Sequence, residues 1–368
     1  MIDLTTLQVI WWLLIGVLLI GFALTDGFDM GVGILLPFVG RRDGERRVVV
    51  NTVGATWEGN QVWFITAGGA TFAAWPVVYA TAFSGFYVAL LLVLFSLFFR
   101  PVGFDYRNKL NDRRWRSFWD WGIFAGSFVP ALVFGVAFGN LLQGVPFAID
   151  IDHRASYHGT FWQLLNPFAL LAGVLSVTML VAHGGAFLAV KAEGKVAERG
   201  RRVQIVASLL TAVLFVAAGV WVALALPGLR MTASGAPERG VGYWMTNYGL
   251  NAWAWAAPAV GTAGALLAAC AAWGRRERSA FVACGLSITG IIFTAGVSMF
   301  PFIMPSSLDL AHSLTIWNAT SSQRTLQIML FAVIVFLPLI LIYTTWVYRV
   351  MRGRVSEQHI EQNSASMY

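Results

Sequence analysis

Four acidic side chains stand where a lipid-embedded chain can least tolerate them: Asp26, Asp29, Glu58 and Asp120, each inside or at the edge of a strongly apolar stretch. A carboxyl in hydrocarbon costs several kcal/mol, on the order of 2.5–3.5 at a helix centre, unless it is paired, neutral or hydrated, so such groups mark proton relays or structural ion pairs. Asp26 and Asp29 are three residues apart and share one helix face. Their segment, Thr25-Asp-Gly-Phe-Asp-Met-Gly, carries glycines at 27, 31 and 33 that admit a neighbouring backbone or water. Arg100 closes a later apolar run and is expected to neutralise Asp29 or Asp120. Several acids sharing one cation leave a carboxyl uncompensated, which suits proton transfer. Asp105 and Tyr106 follow Arg100 and are expected at the mouth of such a path.

The remaining candidates are weaker. His183, in Val-Ala-His-Gly-Gly, could ligate haem, but a second intramembrane histidine is missing, and a hydrogen bond to a neighbouring helix is the better expectation. Met299 and Met304, like Cys270 and Cys284, read as packing residues. His153, His158 and His312 fall in outer connections and His359 in the tail. The sequence contains no Walker loop, no H-E-x-x-H and no dinucleotide fingerprint, so no metal site or complete redox or hydrolytic site is expected in this chain.

The elements that must position these residues follow from composition. Of 368 residues, 58% are hydrophobic and 12% charged, against roughly 25% charged in a soluble domain. Lipid satisfies no backbone groups, so the expected fold is an all-α integral membrane protein. Runs of ~20 apolar residues suffice for one crossing. They predict nine spans, near 7–38, 51–75, 77–99, 117–142, 162–190, 203–226, 252–274, 279–300 and 325–348. The first has no cation before it and no cleavage site after it, so it reads as a retained helix.

The net charge of +7 does not point to nucleic acid, because the cations sit in short turns between apolar runs. All but Arg154, Arg230, Arg239 and Arg324 fall in alternate connections, which places those connections in the cytoplasm, the N-terminus outside and the C-terminus inside. Residues 1–355 then form one transmembrane domain and 356–368 a polar cytoplasmic tail that docks on a partner or stays mobile. At ~1.5 Å per residue, Asp26 lies about 28 Å down the first span, and Glu58 about 10 Å into the second from the opposite side, so the acids are expected at one depth.

Taken as strings, these stretches resemble subunit II of the cytochrome bd ubiquinol oxidases. The match is carried by Thr25-Asp-Gly-Phe-Asp-Met-Gly-Val-Gly, Trp57-Glu-Gly-Asn-Gln-Val-Trp63 and Phe98-Phe-Arg-Pro-Val-Gly-Phe-Asp-Tyr-Arg107. Gly139-Asn-Leu-Leu-Gln-Gly-Val-Pro-Phe147, Phe300-Pro-Phe-Ile-Met-Pro-Ser-Ser307 and Trp317-Asn-Ala-Thr-Ser-Ser extend it along the chain. The resemblance implies a subunit of a bacterial inner-membrane terminal oxidase that oxidises quinol and reduces dioxygen to water. It implies haem b and haem d in the complex, ligated by subunit I, and a fold of two four-helix bundles plus one peripheral helix. Small single-helix subunits and a structural quinone in this subunit are further expectations. Carried over by position, Glu58 matches an acidic position of a proton path, where aspartate also occurs. Asp26, Asp29, Arg100 and Asp120 match positions near it, and Trp63 is expected to flank an oxygen access from lipid. Judged on the residues alone, a proton-coupled transporter and a purely structural scaffold remain alternatives.

Overall fold

The computed structural model describes residues 2–152 and 154–362, with only the backbone described at 359 and 361; His153 and the tail residues 363–368 lie outside the described residues. The chain opens with α1 (Leu4–Val39), which is capped by Asp3 accepting from the Thr6 amide at 3.0 Å and stopped at Gly40. Then come α2 (Asp43–Val53), α3 (Trp57–Ala74), α4 (Pro76–Gly85), α5 (Tyr87–Leu97), α6 (Phe99–Tyr106) and α7 (Arg113–Gln143). The hairpin β1 (Phe147–Ile149) and β2 (Ala155–Tyr157) leads to α8 (Pro167–Lys191) and α9 (Gly194–Leu224). After β3 (Pro227–Met231), β4 (Pro237–Val241) and the short α10 (Thr246–Leu250) come α11 (Ala256–Trp273) and α12 (Glu277–Met299). The strands β5 (Phe302–Met304) and β6 (Leu314–Thr315) precede α13 (Gln323–Val350) and α14 (Glu357–Gln362).

Eight helical stretches are long and apolar enough to cross a membrane, and α3 falls outside that set. The expected second and third spans are the ones that differ most from expectation. Residues 51–53 belong to α2, so α3 starts only at Trp57, with a polar first turn of Glu58, Asn60 and Gln61. Proline disfavours the αR conformation in the residue before it; Trp75 leaves the helical region, at φ −134° and ψ 75°, and α3 and α4 are separate helices. The third span is also interrupted, at Phe86 and again at Phe98. Near the first break, Gly85 lies under the Tyr157 ring, where a Cβ would sit 3.1 Å from it.

Helices α1, α3, α5 and α7 pack as one group and α8, α9, α11 and α12 as a second, joined along α1, α7 and α8. The closest approach at that seam is Gly31 of α1 on Gly184 of α8: a Cβ on either would strike the other helix's backbone. Helix α13 touches α1 and α3 but is only 6% buried across its apolar window. The two ends of the molecule differ. One carries the three antiparallel hairpins, tied by a bridge between Val145 and Ser306 and by the Trp11 indole donating to the Leu326 carbonyl. An all-α reading did not include these hairpins; they satisfy backbone groups in long connections where water is available. The other end carries α2, the α8–α9 and α11–α12 turns and α14. Part of the tail, expected to dock on a partner or stay mobile, packs on its own chain instead: α14 lies on α2 with Ile360 2% exposed, just after Val355, which bridges Ala192.

Candidate functional site

The break between α5 and α6 turns Arg100 inward, 1% exposed, against α1. Its guanidinium grips Asp26 with both arms, 2.6 Å to Oδ1 and 3.0 Å to Oδ2. The expected partners, Asp29 or Asp120, are thus corrected: Asp26 takes the bidentate pair, since one helical turn separates it from Asp29 and a planar fork serves one carboxylate best. The guanidinium also lies over the Trp57 ring, 5.9 Å from its centroid.

Asp29, 1% exposed, is held differently. Its Oδ2 accepts from the Asn60 amide at 2.7 Å, while Oδ1 has no hydrogen-bond partner. The Asn60 carbonyl in turn accepts from the Tyr348 hydroxyl at 2.7 Å, so α13 reaches the acid layer through α3. A buried carboxyl with one free oxygen beside a neutralised neighbour can take up or release a proton without breaking an ion pair. An amide cannot relay a proton in its ordinary form, so Asn60 holds Asp29 in place rather than passing protons to it.

Asp120 forms a second centre, nearer the end that carries α2. Its oxygens accept from Arg107 at 2.6 Å and from Arg46 at 2.7 Å, and Arg107, fully buried, also donates to Asp43 at 2.8 Å. Arg116 completes the network on Asp43 at 2.8 Å. The expectation that Arg100 alone neutralises this layer is therefore wrong. Arg107 lies two helical turns beyond Arg100 and points the same way, a periodicity readable in the sequence. Beside this centre, Glu45 accepts from Arg199 at 2.8 Å and from the Arg41 and Arg42 amides, clamping α2 to α9. Burial works against the Glu45 carboxylate, but these donors outweigh it and hold its pKa below 4.5.

Glu58 does not join the cluster. It is exposed on the face of α3 opposite Trp57 and Asn60, continuous with exposed Val62, Ile65 and Phe72. The expected depth of about 10 Å assumed a helix running from Asn51, whereas Glu58 stands in the first turn of α3, and rotation about the axis decides which neighbours meet. Asp105 and Tyr106 are likewise exposed. Trp63 is half-buried against Gly21 of α1, where a Cβ would lie 2.6 Å from the indole. Asn60, Arg107, Arg46 and Tyr348 were missed as partners. Asn60 stands one turn from Trp57, which could have marked the inward face of α3.

His183 makes the expected bond to a neighbouring helix: its Nε2 lies 3.0 Å from the Leu24 carbonyl and its ring stacks on Phe281 at 4.5 Å, while its Nδ1 is buried without a hydrogen-bond partner. Met299 and Met304 are buried in apolar clusters and Cys284 among Ala182, Ala186 and Ala268, whereas Cys270 is exposed and does not pack inside the chain as expected. Among the described residues no group of three His, Cys, Asp or Glu could hold a metal ion.

Residues 7–351 match the protein family described as cytochrome bd terminal oxidase subunit II. The chain is 54% identical over 379 aligned positions to the cytochrome bd-I ubiquinol oxidase subunit 2 of Escherichia coli K12, covering 100% of both. It is 33% identical to the cytochrome bd ubiquinol oxidase subunit 2 of Bacillus subtilis, over 96% of this chain and 98% of the other. Among solved structures, a chain of the bd oxidase from Geobacillus thermodenitrificans superposes with a TM-score of 0.71 at 15% identity, over 94% of this chain and 99% of that one. That last likeness concerns the fold alone.

Proposed function

Because this chain belongs to the subunit II family of the cytochrome bd terminal oxidases, we propose that it buttresses the haem-bearing subunit I and conducts protons to it from the cytoplasmic side. It is a subunit of a quinol:oxygen oxidoreductase of the respiratory chain, in a complex that contains haem and a subunit I partner, and it is a multi-pass membrane protein. In this reading haem b and haem d take their ligands from subunit I, which is supported by the packing of Met299 and Met304 in apolar clusters and the stacking of His183 on Phe281, and no electron-transfer step is drawn through this chain.

The observation that carries the proton role is the buried acid layer. Asp26 is neutralised by Arg100 and Asp29 keeps one oxygen free, while Glu58 faces outward on the other side of α3 from the Asn60 that holds Asp29. In this reading Asp105, exposed near the Asp120 network, gathers protons, Asp29 exchanges them, and Glu58 hands them across to subunit I. Arg100 and Asp120 hold the helices in place through their ion pairs. The stripe of Glu58, Val62, Ile65 and Phe72, with the thinly covered α13, supplies the face on which subunit I docks. Trp63, at the edge of that stripe, flanks an apolar oxygen access.

Nine crossings, arranged as two four-helix bundles with α13 peripheral, follow if α3 spans with its polar turn turned towards the partner. This is supported by the segregation of hairpins and basic turns to opposite ends, which an even count would mix. The N-terminus is then periplasmic and the C-terminus cytoplasmic in a bacterial inner membrane. One transmembrane domain covers 1–355, and the 356–368 tail follows it. A structural quinone is supported by the aromatic ladder of exposed Phe72, half-buried Tyr79 and exposed Phe83, with centroids 5.1 and 4.1 Å apart. Small single-helix subunits would add to the same complex.

The test is quinol oxidase turnover of the assembled Glu58→Gln and Asp29→Asn enzymes at matched haem content. Both are expected to slow. Unchanged turnover in both would leave the chain a structural scaffold, and a stable, colourless chain isolated without a haem-bearing partner would favour a proton-coupled transporter.

A further inference from the structure

At the inner end a cavity of about 980 Å³ opens between the last turn of α13, the end of α8 and the α11–α12 turn. Its wall is apolar on one side, formed by Phe187, Val190, Tyr348 and Val350, and polar on the α2 side, where Asn51, Thr52 and Thr56 line it. Its rim is basic. Arg276 and Arg278 come from one side and Arg352 and Arg354 from the other, all exposed, and Glu277 is the one acid among the residues that line it. None of these four arginines uses its guanidinium in an ion pair or hydrogen bond with another described residue, unlike the arginines of the Asp26 and Asp120 centres. Lys191 is different: it donates to the Met351 carbonyl at 2.6 Å and fastens the α13 end in place as part of the wall.

We propose that this cavity seats the headgroup of an anionic phospholipid of the inner leaflet, its phosphodiester between the two arginine pairs and its acyl chains along α12. Two independent features point to lipid rather than to a soluble anion. A site for free phosphate needs donors on all sides, whereas here Phe187, Val190 and Val350 present aromatic and aliphatic surface opposite the polar α2 side. The cavity also continues into a track that hydrocarbon would cover: Ser279 lines it, and Val282 and Leu286, 60% and 50% exposed, extend the same face of α12. Basic pockets between membrane helices on the cytoplasmic side have this recognition chemistry. The volume is enough for a glycerophosphate headgroup and the first methylenes of its chains. The assignment rests on the membrane orientation proposed above and not on proton transfer.

The experiment uses the whole oxidase complex, purified in mild detergent, exchanged with dioleoyl phosphatidylglycerol and examined by native mass spectrometry. The parent complex is expected to retain one phosphatidylglycerol that the fourfold variant R276Q/R278Q/R352Q/R354Q loses. Each cation near an anionic headgroup contributes roughly fivefold, so the affinity is expected to fall by about a hundredfold or more. A variant that removes equal charge elsewhere on the same side, R41Q/R113Q/K195Q/R201Q, is expected to keep the lipid. Equal loss in both variants would reduce the effect to the general attraction of a basic surface and overturn the site. Retention in the fourfold variant would overturn it directly. Displacement by inorganic phosphate, with zwitterionic phosphatidylethanolamine binding as well as phosphatidylglycerol, would identify a soluble-anion site instead. Should the fourfold variant fail to assemble, the single substitution R278E is read in its place, against the same control.

Discussion

Arg100 and Asp26 can be taken apart by a double-mutant cycle, because both side chains are at most 1% exposed and meet through two hydrogen bonds of 2.6 and 3.0 Å. Arg100→Met removes the cation and leaves Asp26 uncompensated beside Asp29, and breaking a buried pair in this way costs about 3–5 kcal/mol. Asp26→Leu leaves Arg100 with Asp29 as its nearest acid, so its cost is expected nearer the lower figure. The double variant removes both desolvated charges at once, and replacing a buried pair by apolar groups is often neutral or stabilising. The two single losses therefore do not add, and the coupling energy is expected at ~2 kcal/mol or more. An exposed pair would give ~1 kcal/mol or less. The assay is the unfolding free energy of the detergent-solubilised complex for the parent, both single variants and the double variant, with haem retention as a second readout. Additive losses, with coupling below ~1 kcal/mol, would refute the placement of this pair in a dry, low-dielectric seam.

Gly31→Val places two methyl groups where the α8 backbone stands, and overpacking of this kind costs ~1–3 kcal/mol or more; expression of the assembled complex should fall sharply, while the same change at Gly16, with open space around it, should be nearly silent. The Glu45 clamp has a pH signature. Its carboxyl is lowered on folding, so its contribution is present above the unfolded value near 4.5 and is lost as pH falls through the lower folded value. Thermal stability of Glu45→Gln should match the parent in acid and fall below it near neutrality; a constant difference across that range would contradict the clamp. Tyr348→Phe removes the hydroxyl donor to Asn60 at 2.7 Å and should cost about 1 kcal/mol, with a change in the pH profile of turnover if Asn60 positions Asp29.

Much of the architecture was readable before any coordinates. Hydrocarbon leaves a helix no alternative partners for its backbone, so apolar length alone located α1, α7, α8, α11, α12 and α13 within about five residues of their ends, while α9 begins at Gly194, ahead of its apolar run, in the basic segment before 203. The segregation of Lys and Arg marked two different faces of the molecule, and the motif strings identified the family. The α3–α6 region was less legible because its interruptions depend on Pro76 and on contacts such as Tyr157 over Gly85, which come from a distant hairpin. Sequence also singled out Asp26, Asp29, Asp120 and Arg100 as the groups needing partners, since any charge in this setting demands one. It could not assign those partners. Asp26 and Arg100 are separated by 74 positions, as are Arg46 and Asp120, and which guanidinium meets which carboxylate is set by how each helix is rotated about its axis. Rotation likewise sent Glu58 outward and Asn60 inward, although both lie at nearly the same depth. Distance along a helix follows from counting residues, but the direction a side chain faces is decided by the packing of all the helices at once.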